Sequence, residues 1–127
     1  MKNLYLTREF TFEAAHSLNN YTGECSNTHG HSYKLQVTIK GEPDHITGLL
    51  IDFKLLKNII NDCIIYKLDH KNLNDLNNLF ENINTTVENL CYWAWYEIMD
   101  CLPNNIALHK VRIWETQTCY ATYYGGK

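Results

Sequence analysis

The chain has 127 residues, 45% of them hydrophobic and 20% charged, with only six glycines and two prolines; this excludes collagen-like, low-complexity and disordered classes and fits one domain over residues 1–127. Eleven Lys and Arg against fourteen Asp and Glu leave a formal charge of −3, so no positive field is available to hold nucleic acid. No apolar run reaches the ~20 residues of a membrane span, no signal peptide is readable before Arg8 and Glu9, and five cysteines without a CxxC pair fit a reducing cytoplasm better than a disulfide framework.

From Tyr5 to His16 the pattern alternates, with Phe10, Phe12, Ala14 and His16 on one parity and Glu9, Thr11 and Glu13 on the other, which predicts a half-buried strand. A second strand is predicted from His31 to Lys40, where His31, Tyr33, Leu35, Val37 and Ile39 share a face. The polar loop between them holds Cys25, and antiparallel pairing would bring His16, His29 and His31 together. After the turn residues Gly41, Pro43 and Gly48, the spacing of Phe53, Leu56, Ile60, Cys63 and Ile64 predicts a helix with Asp52 as its N-cap. The Asn- and Asp-rich stretch from Asp69 to Asn84 reads as a connecting loop with room for one helical turn. Thr85 with Glu88 three residues on predicts a capping box opening a second helix. Its stripe runs through Val87, Leu90, Cys91, Ala94, Trp95, Ile98 and Cys101 to Pro103. Two short strands close the chain, at about Lys110 to Glu115 and Cys119 to Tyr124.

This order predicts an α+β domain, a four-stranded antiparallel sheet with two helices on one face. Four open strands leave two edges, which points to closure into an oligomeric barrel, or to edges blunted within a monomer.

Histidines two apart on a strand point the same way, so His29 and His31 can hold one metal ion, with His16 as candidate third ligand. The alternative is a hydrogen-bonded core role for His16 and a loop role for His29. Cys25 alone among the cysteines falls in a polar loop: it is an idle exposed thiol, a fourth zinc ligand, or a thiolate activated by a nearby ion. Cys63, Cys91, Cys101 and Cys119 fit as small core hydrophobes. Glu115 continues the buried parity of Val111 and Ile113, so it needs a cationic partner, a ligand's N–H groups, or a strand end in solvent. Asp69 and His70 form a possible acid and imidazole pair for proton transfer.

Together FEAAHSL, the C-x-x-x-H-G-H segment at Cys25, GLLIDF, LDHKNLND, TTVEN and RIWETQTCYA resemble the 6-pyruvoyltetrahydropterin synthase and 6-carboxytetrahydropterin synthase family, nearly end to end and in the family's order. The resemblance implies the tunnelling fold, with trimeric barrels stacked into a homohexamer. It makes His16, His29 and His31 zinc (Zn2+) ligands, Cys25 the catalytic thiol, Asp69 and His70 the proton-transfer pair, and Glu115 the anchor of the pterin ring. Thr86 and Glu88 match a T-x-E motif near the pterin, and Thr85 stands where many members have proline. The three-residue gap between Cys25 and His29 is similar to the bacterial 6-carboxytetrahydropterin synthases of queuosine biosynthesis. The activity implied is a zinc-dependent lyase that converts 7,8-dihydroneopterin triphosphate to 6-carboxy-5,6,7,8-tetrahydropterin, releasing acetaldehyde and triphosphate. Alternatives are a pyruvoyl-type synthase on the same substrate and a non-catalytic pterin- or zinc-binding protein. Arg8, Lys34, Lys54 and Lys71 are the cations left as candidates for the triphosphate.

Overall fold

A computed structural model of the protein describes residues 2–19, 21–23 and 26–126. Strand β1 (Leu4–His16) and strand β2 (His29–Gly41) pair antiparallel along their whole length, from Leu4 opposite Gly41 to His16 opposite His29. Both carry the predicted period of two: Phe10, Phe12 and Ala14 are buried on the same side as Tyr33, Leu35, Val37 and Ile39, while Glu9, Thr11 and Glu13 are exposed. A slip of one residue would turn every one of these side chains over, so the apolar parity fixes the register and thereby places His16 beside His29.

Helix α1 (Phe53–Ile60) starts at Asp52, whose carboxylate accepts the Lys54 N–H at 2.8 Å. It continues through a widened π-type turn, Asn61–Ile65, and ends in the single turn Tyr66–Leu68. The extra residue lets three consecutive side chains, Cys63, Ile64 and Ile65, all reach the core, which an unbroken α-helical stripe would not. The loop predicted from Asp69 to Asn84 is more structured than its composition suggests. It contains a two-residue strand β3 (Lys71–Asn72), which pairs parallel with Ala14 and Ala15, and two short helical turns, Leu73–Asp75 and Asn77–Phe80. Helix α2 (Val87–Cys101) is capped by Thr86, whose hydroxyl accepts the Asn89 N–H at 3.2 Å. The expected Thr85–Glu88 box is therefore replaced by a single cap one residue later, with the Asn89 side-chain amide donating to the Asn84 carbonyl and the Thr85 carbonyl turned to His16.

Strands β4 (Ala107–Trp114) and β5 (Tyr120–Tyr123) complete a five-stranded sheet of order β3-β1-β2-β4-β5, antiparallel except at β3. Strands β1, β2, β4 and β5 and the helix-covered face agree with the sequence; the additional strand, β3, is too short to leave a periodic signal. The inner parity of the sheet and the inner stripes of α1 and α2 form one core. Cys63 and Cys91 belong to it, whereas Cys101 and Cys119 are exposed, since the first ends its helix and the second lies in the β4–β5 connection beyond the packed strands. No helix among the described residues is long and apolar enough to cross a membrane.

Candidate active site

The β1–β2 register brings three imidazoles to one end of the sheet. His16, His29 and His31 offer ligand atoms that all lie within 4.8 Å of one another; bonds of about 2.0 to 2.1 Å to one tetrahedral ion would draw these atoms in to about 3.4 Å from each other. The hydrogen bonds around them decide which nitrogen faces inward. His16 Nδ1 lies 2.7 Å from the Thr85 carbonyl and His29 Nδ1 lies 2.8 Å from the Asn27 carbonyl. A carbonyl only accepts, so both Nδ1 atoms carry a proton, and in the neutral form of each ring the Nε2 lone pair is the one left for a ligand. His31 Nε2 is buried without a hydrogen-bond partner among the described residues. Burial holds His16 and His31 below the ordinary imidazole value of 6.5, only partly opposed by the Thr85 carbonyl at His16 and by the Glu115 charge at His31. Neutral rings with oriented Nδ1–H groups and open Nε2 atoms are the form that binds a divalent metal, so the residues present fit such an ion.

Glu115 follows the end of β4, with its N–H held by the Cys119 carbonyl at 2.9 Å. Its carboxylate oxygens sit 3.9 Å from His16 Nε2 and 3.9 Å from His31 Nε2, and the side chain is 29% exposed. At that distance neither contact is a hydrogen bond. Glu115 therefore found histidine edges where a lysine or arginine was one expectation, and its acceptor capacity remains for another donor. Beneath the cluster, fully buried Tyr33 stacks on Phe12 and meets His16 and His31 edge-on. Its hydroxyl has no partner among the described residues, and burial first, then the Glu115 charge, pushes its phenol well up, so it stays a proton donor.

Asp69 and His70 leave the end of the α1 segment and are clasped to β1. The Glu13 N–H donates to Asp69 Oδ1 at 2.9 Å, and the His70 N–H returns to the Glu13 carbonyl at 2.6 Å. Asp69 Oδ2 then lies 3.1 Å from His70 Nδ1. These bonds, led by the Glu13 N–H, hold the Asp69 carboxyl below its usual range. His70 has φ 61, a left-handed conformation that costs a non-glycine residue about 1 to 2 kcal/mol. An open cleft of about 360 Å³ is lined by Glu13, Ala14, Gly30, His31, His70 and Lys71 among others, so His70 of the pair and His31 of the histidine cluster share one space.

Sequence reasoning missed the supports. Asn74 Oδ1 accepts the Ser17 N–H at 2.8 Å while its amide donates to the Ser17 carbonyl at 3.0 Å, and Asn84 makes the same double bond to Asn19. These clasps tie the chain after His16 to the segment before α2, which sets the Thr85 carbonyl over His16. Asparagine in a polar stretch carries no sign of such a distant backbone partner. Thr86 spends its hydroxyl on the cap, and Glu88 is exposed in the first turn of α2. Cys25 and the neighbouring Glu24 lie outside the described residues.

Residues 5–126 match the family model described as 6-pyruvoyl tetrahydropterin synthase. The chain is 34% identical to the 6-pyruvoyl tetrahydrobiopterin synthase of Poecilia reticulata, over 95% of this chain and 90% of that protein. It is 30% identical to the 6-carboxy-5,6,7,8-tetrahydropterin synthase of Haemophilus influenzae, over 93% of this chain and 96% of that one. The solved structure of Caenorhabditis elegans 6-pyruvoyl tetrahydropterin synthase superposes with a TM-score of 0.90 at 29% identity, covering 99% of this chain and 98% of the other.

Proposed function

Because this chain belongs to the 6-pyruvoyl tetrahydropterin synthase family, we propose that residues 1–127 form a single zinc-dependent lyase domain acting on 7,8-dihydroneopterin triphosphate. The observation that carries the reading is the cluster of three histidines, two of them oriented through Nδ1, with the Glu115 carboxylate beside His16 and His31. Glu115 would accept the two adjacent N–H donors of a pterin's aminopyrimidinone edge in bidentate fashion. His16, His29 and His31 would hold zinc through Nε2. Bound there, the ion supplies a Lewis acid that stabilises negative charge developing on the substrate's side chain.

The remaining work is proton transfer. Cys25, as thiolate, would take a carbon-bound proton, and His70 would exchange protons at Nε2 because Asp69 engages its Nδ1. The left-handed turn at His70 and the clasp to Glu13 orient that ring. Thr86 and Glu88 would contact the pterin side of the site from the start of α2. A cytoplasmic homohexamer built from two trimeric barrels fits the two edges of the sheet, β3 and β5.

The product assigned is 6-carboxy-5,6,7,8-tetrahydropterin, with acetaldehyde and triphosphate released, in queuosine biosynthesis; the support is the three-residue gap between Cys25 and His29. A second reading, the 6-pyruvoyl product, is favoured by relatives of that name at 33 to 35% identity. Mass spectrometry of the pterin formed by the zinc-loaded protein, with trapping of aldehyde, separates them. Carboxytetrahydropterin plus acetaldehyde is expected. A pterin retaining all its side-chain carbons establishes the second reading, and unchanged substrate contradicts both.

A further inference from the structure

The segment that carries Asp69 and His70 also carries one of the four cations that the sequence leaves as candidates for the triphosphate. Lys71 directly follows His70, is exposed, and lines the cleft shared by His31 and His70. We propose that Lys71 receives the phosphate end of the substrate and so gives the site its preference for a phosphorylated pterin, an inference that rests on the pterin reading of this same site.

The sheet register supplies the geometry. Lys71 of β3 pairs with Ala14 of β1, and Ala14 pairs with His31 of β2, so the three residues form one row across the sheet. With strands about 4.8 Å apart, Lys71 and His31 are about 10 Å from each other at the backbone. On the far side of His31 stands Glu115. The site is thus ordered, from one end to the other, as carboxylate, histidine cluster, small residues Ala14 and Gly30, and ammonium. That is the order of a pterin triphosphate, whose ring offers N–H donors, whose side chain carries hydroxyls, and whose far end carries the negative charge. The side chains between are too small to block the path: a Cβ added at Gly30 would meet its nearest neighbour, the Ala14 carbonyl, only at 3.8 Å.

Lys71 is also held and free in the right places. Its backbone is fixed by the pairing with Ala14 and by fully buried Leu73 two residues on, and its ammonium has no ion pair among the described residues. The other candidates are engaged or remote. Arg8 lies about 26 Å along β1 from His16 and donates to the Phe53 carbonyl at 3.1 Å. Lys54 is next to Phe53 at the start of α1. Lys34, on the opposite parity of β2, lies over the Trp114 ring at 4.2 Å and pairs with Glu9 at 3.8 Å.

Binding of 7,8-dihydroneopterin triphosphate and of 7,8-dihydroneopterin, which lacks phosphates, tests the assignment on zinc-loaded wild type and on Lys71→Met, Lys71→Arg and Lys54→Met, each checked for unchanged zinc content and melting temperature. Lys71→Met should weaken the triphosphate by about 10- to 100-fold and leave the unphosphorylated pterin alone; Lys71→Arg should keep most of the affinity, and Lys54→Met should alter neither. Equal losses for both pterins, or no loss for the triphosphate, would overturn the role of Lys71 while leaving the pterin reading intact. Wild type that binds neither compound would overturn the reading and the inference together.

Discussion

The two ends of the cleft are built in opposite ways. The histidine end stands on two thirteen-residue strands paired along their length, with His16 1% exposed and its Nδ1 fixed by a backbone carbonyl. The Asp69–His70 end hangs on a two-residue strand, with the His70 side chain 78% exposed and its backbone left-handed. A metal site needs ligand atoms that do not move, and burial on paired strands provides that. A proton shuttle needs solvent access and a defined tautomer, which an exposed ring beside a carboxylate provides. The contrast predicts that damage at one end leaves the other standing.

The largest effect is expected at the rigid end. His31→Ala should abolish stoichiometric zinc and lower turnover by about 1000-fold or more, the equivalent of several kcal/mol of transition-state stabilisation. Elemental analysis and steady-state rates check this, and unchanged zinc would remove His31 from the site. The other end depends on Leu73, which is fully buried directly after β3. Leu73→Ala should cost about 2 to 5 kcal/mol in denaturant unfolding and reduce turnover while zinc stoichiometry persists. Loss of zinc in that variant would show that the two ends are not independent.

His70→Gly sharpens the contrast further, because it should relieve the left-handed strain. It is expected to stabilise the fold by about 1 kcal/mol while lowering turnover about 100-fold or more; a destabilised variant would mean that the His70 ring packs more than its exposure indicates. The smallest effect concerns acidity. Burial lowers the His16 and His31 values in the folded state, so as pH falls through 6.5 the unfolded chain binds protons that the folded one refuses, and metal-free stability drops. Chemical denaturation between about pH 7.5 and 5.5 should show that fall, and replacing both residues by glutamine should flatten it.

Much of this was legible in sequence for a physical reason. Strands of period two write their register in parity, so Phe10, Phe12 and Ala14 opposite Tyr33, Leu35 and Val37 already placed His16 beside His29 and His31. Glu115 stood out because a carboxylate broke the apolar parity of Val111 and Ile113. What stayed hidden is non-local or too short to have a period. Strand β3 has two residues, the Glu13 clasp on Asp69 spans fifty-six positions, and the Asn74 and Asn84 clasps join side-chain amides to distant backbone. The helix start was off by one because Thr85 and Thr86 both offer a hydroxyl, and only the fold decides which of them turns its carbonyl to His16. Cys101 and Cys119 misled because a stripe or an alternation continues past the point where packing stops.

The central claim is that three imidazole nitrogens, without a protein sulfur, hold the metal beside Glu115. X-ray absorption at the zinc edge of the loaded protein tests it most directly. The account predicts three nitrogen neighbours with imidazole scattering at about 2.0 to 2.1 Å and a remaining position filled by a light atom. A sulfur neighbour at about 2.3 Å, which would make Cys25 a ligand and withdraw it from proton transfer, or fewer than three imidazoles, would contradict it.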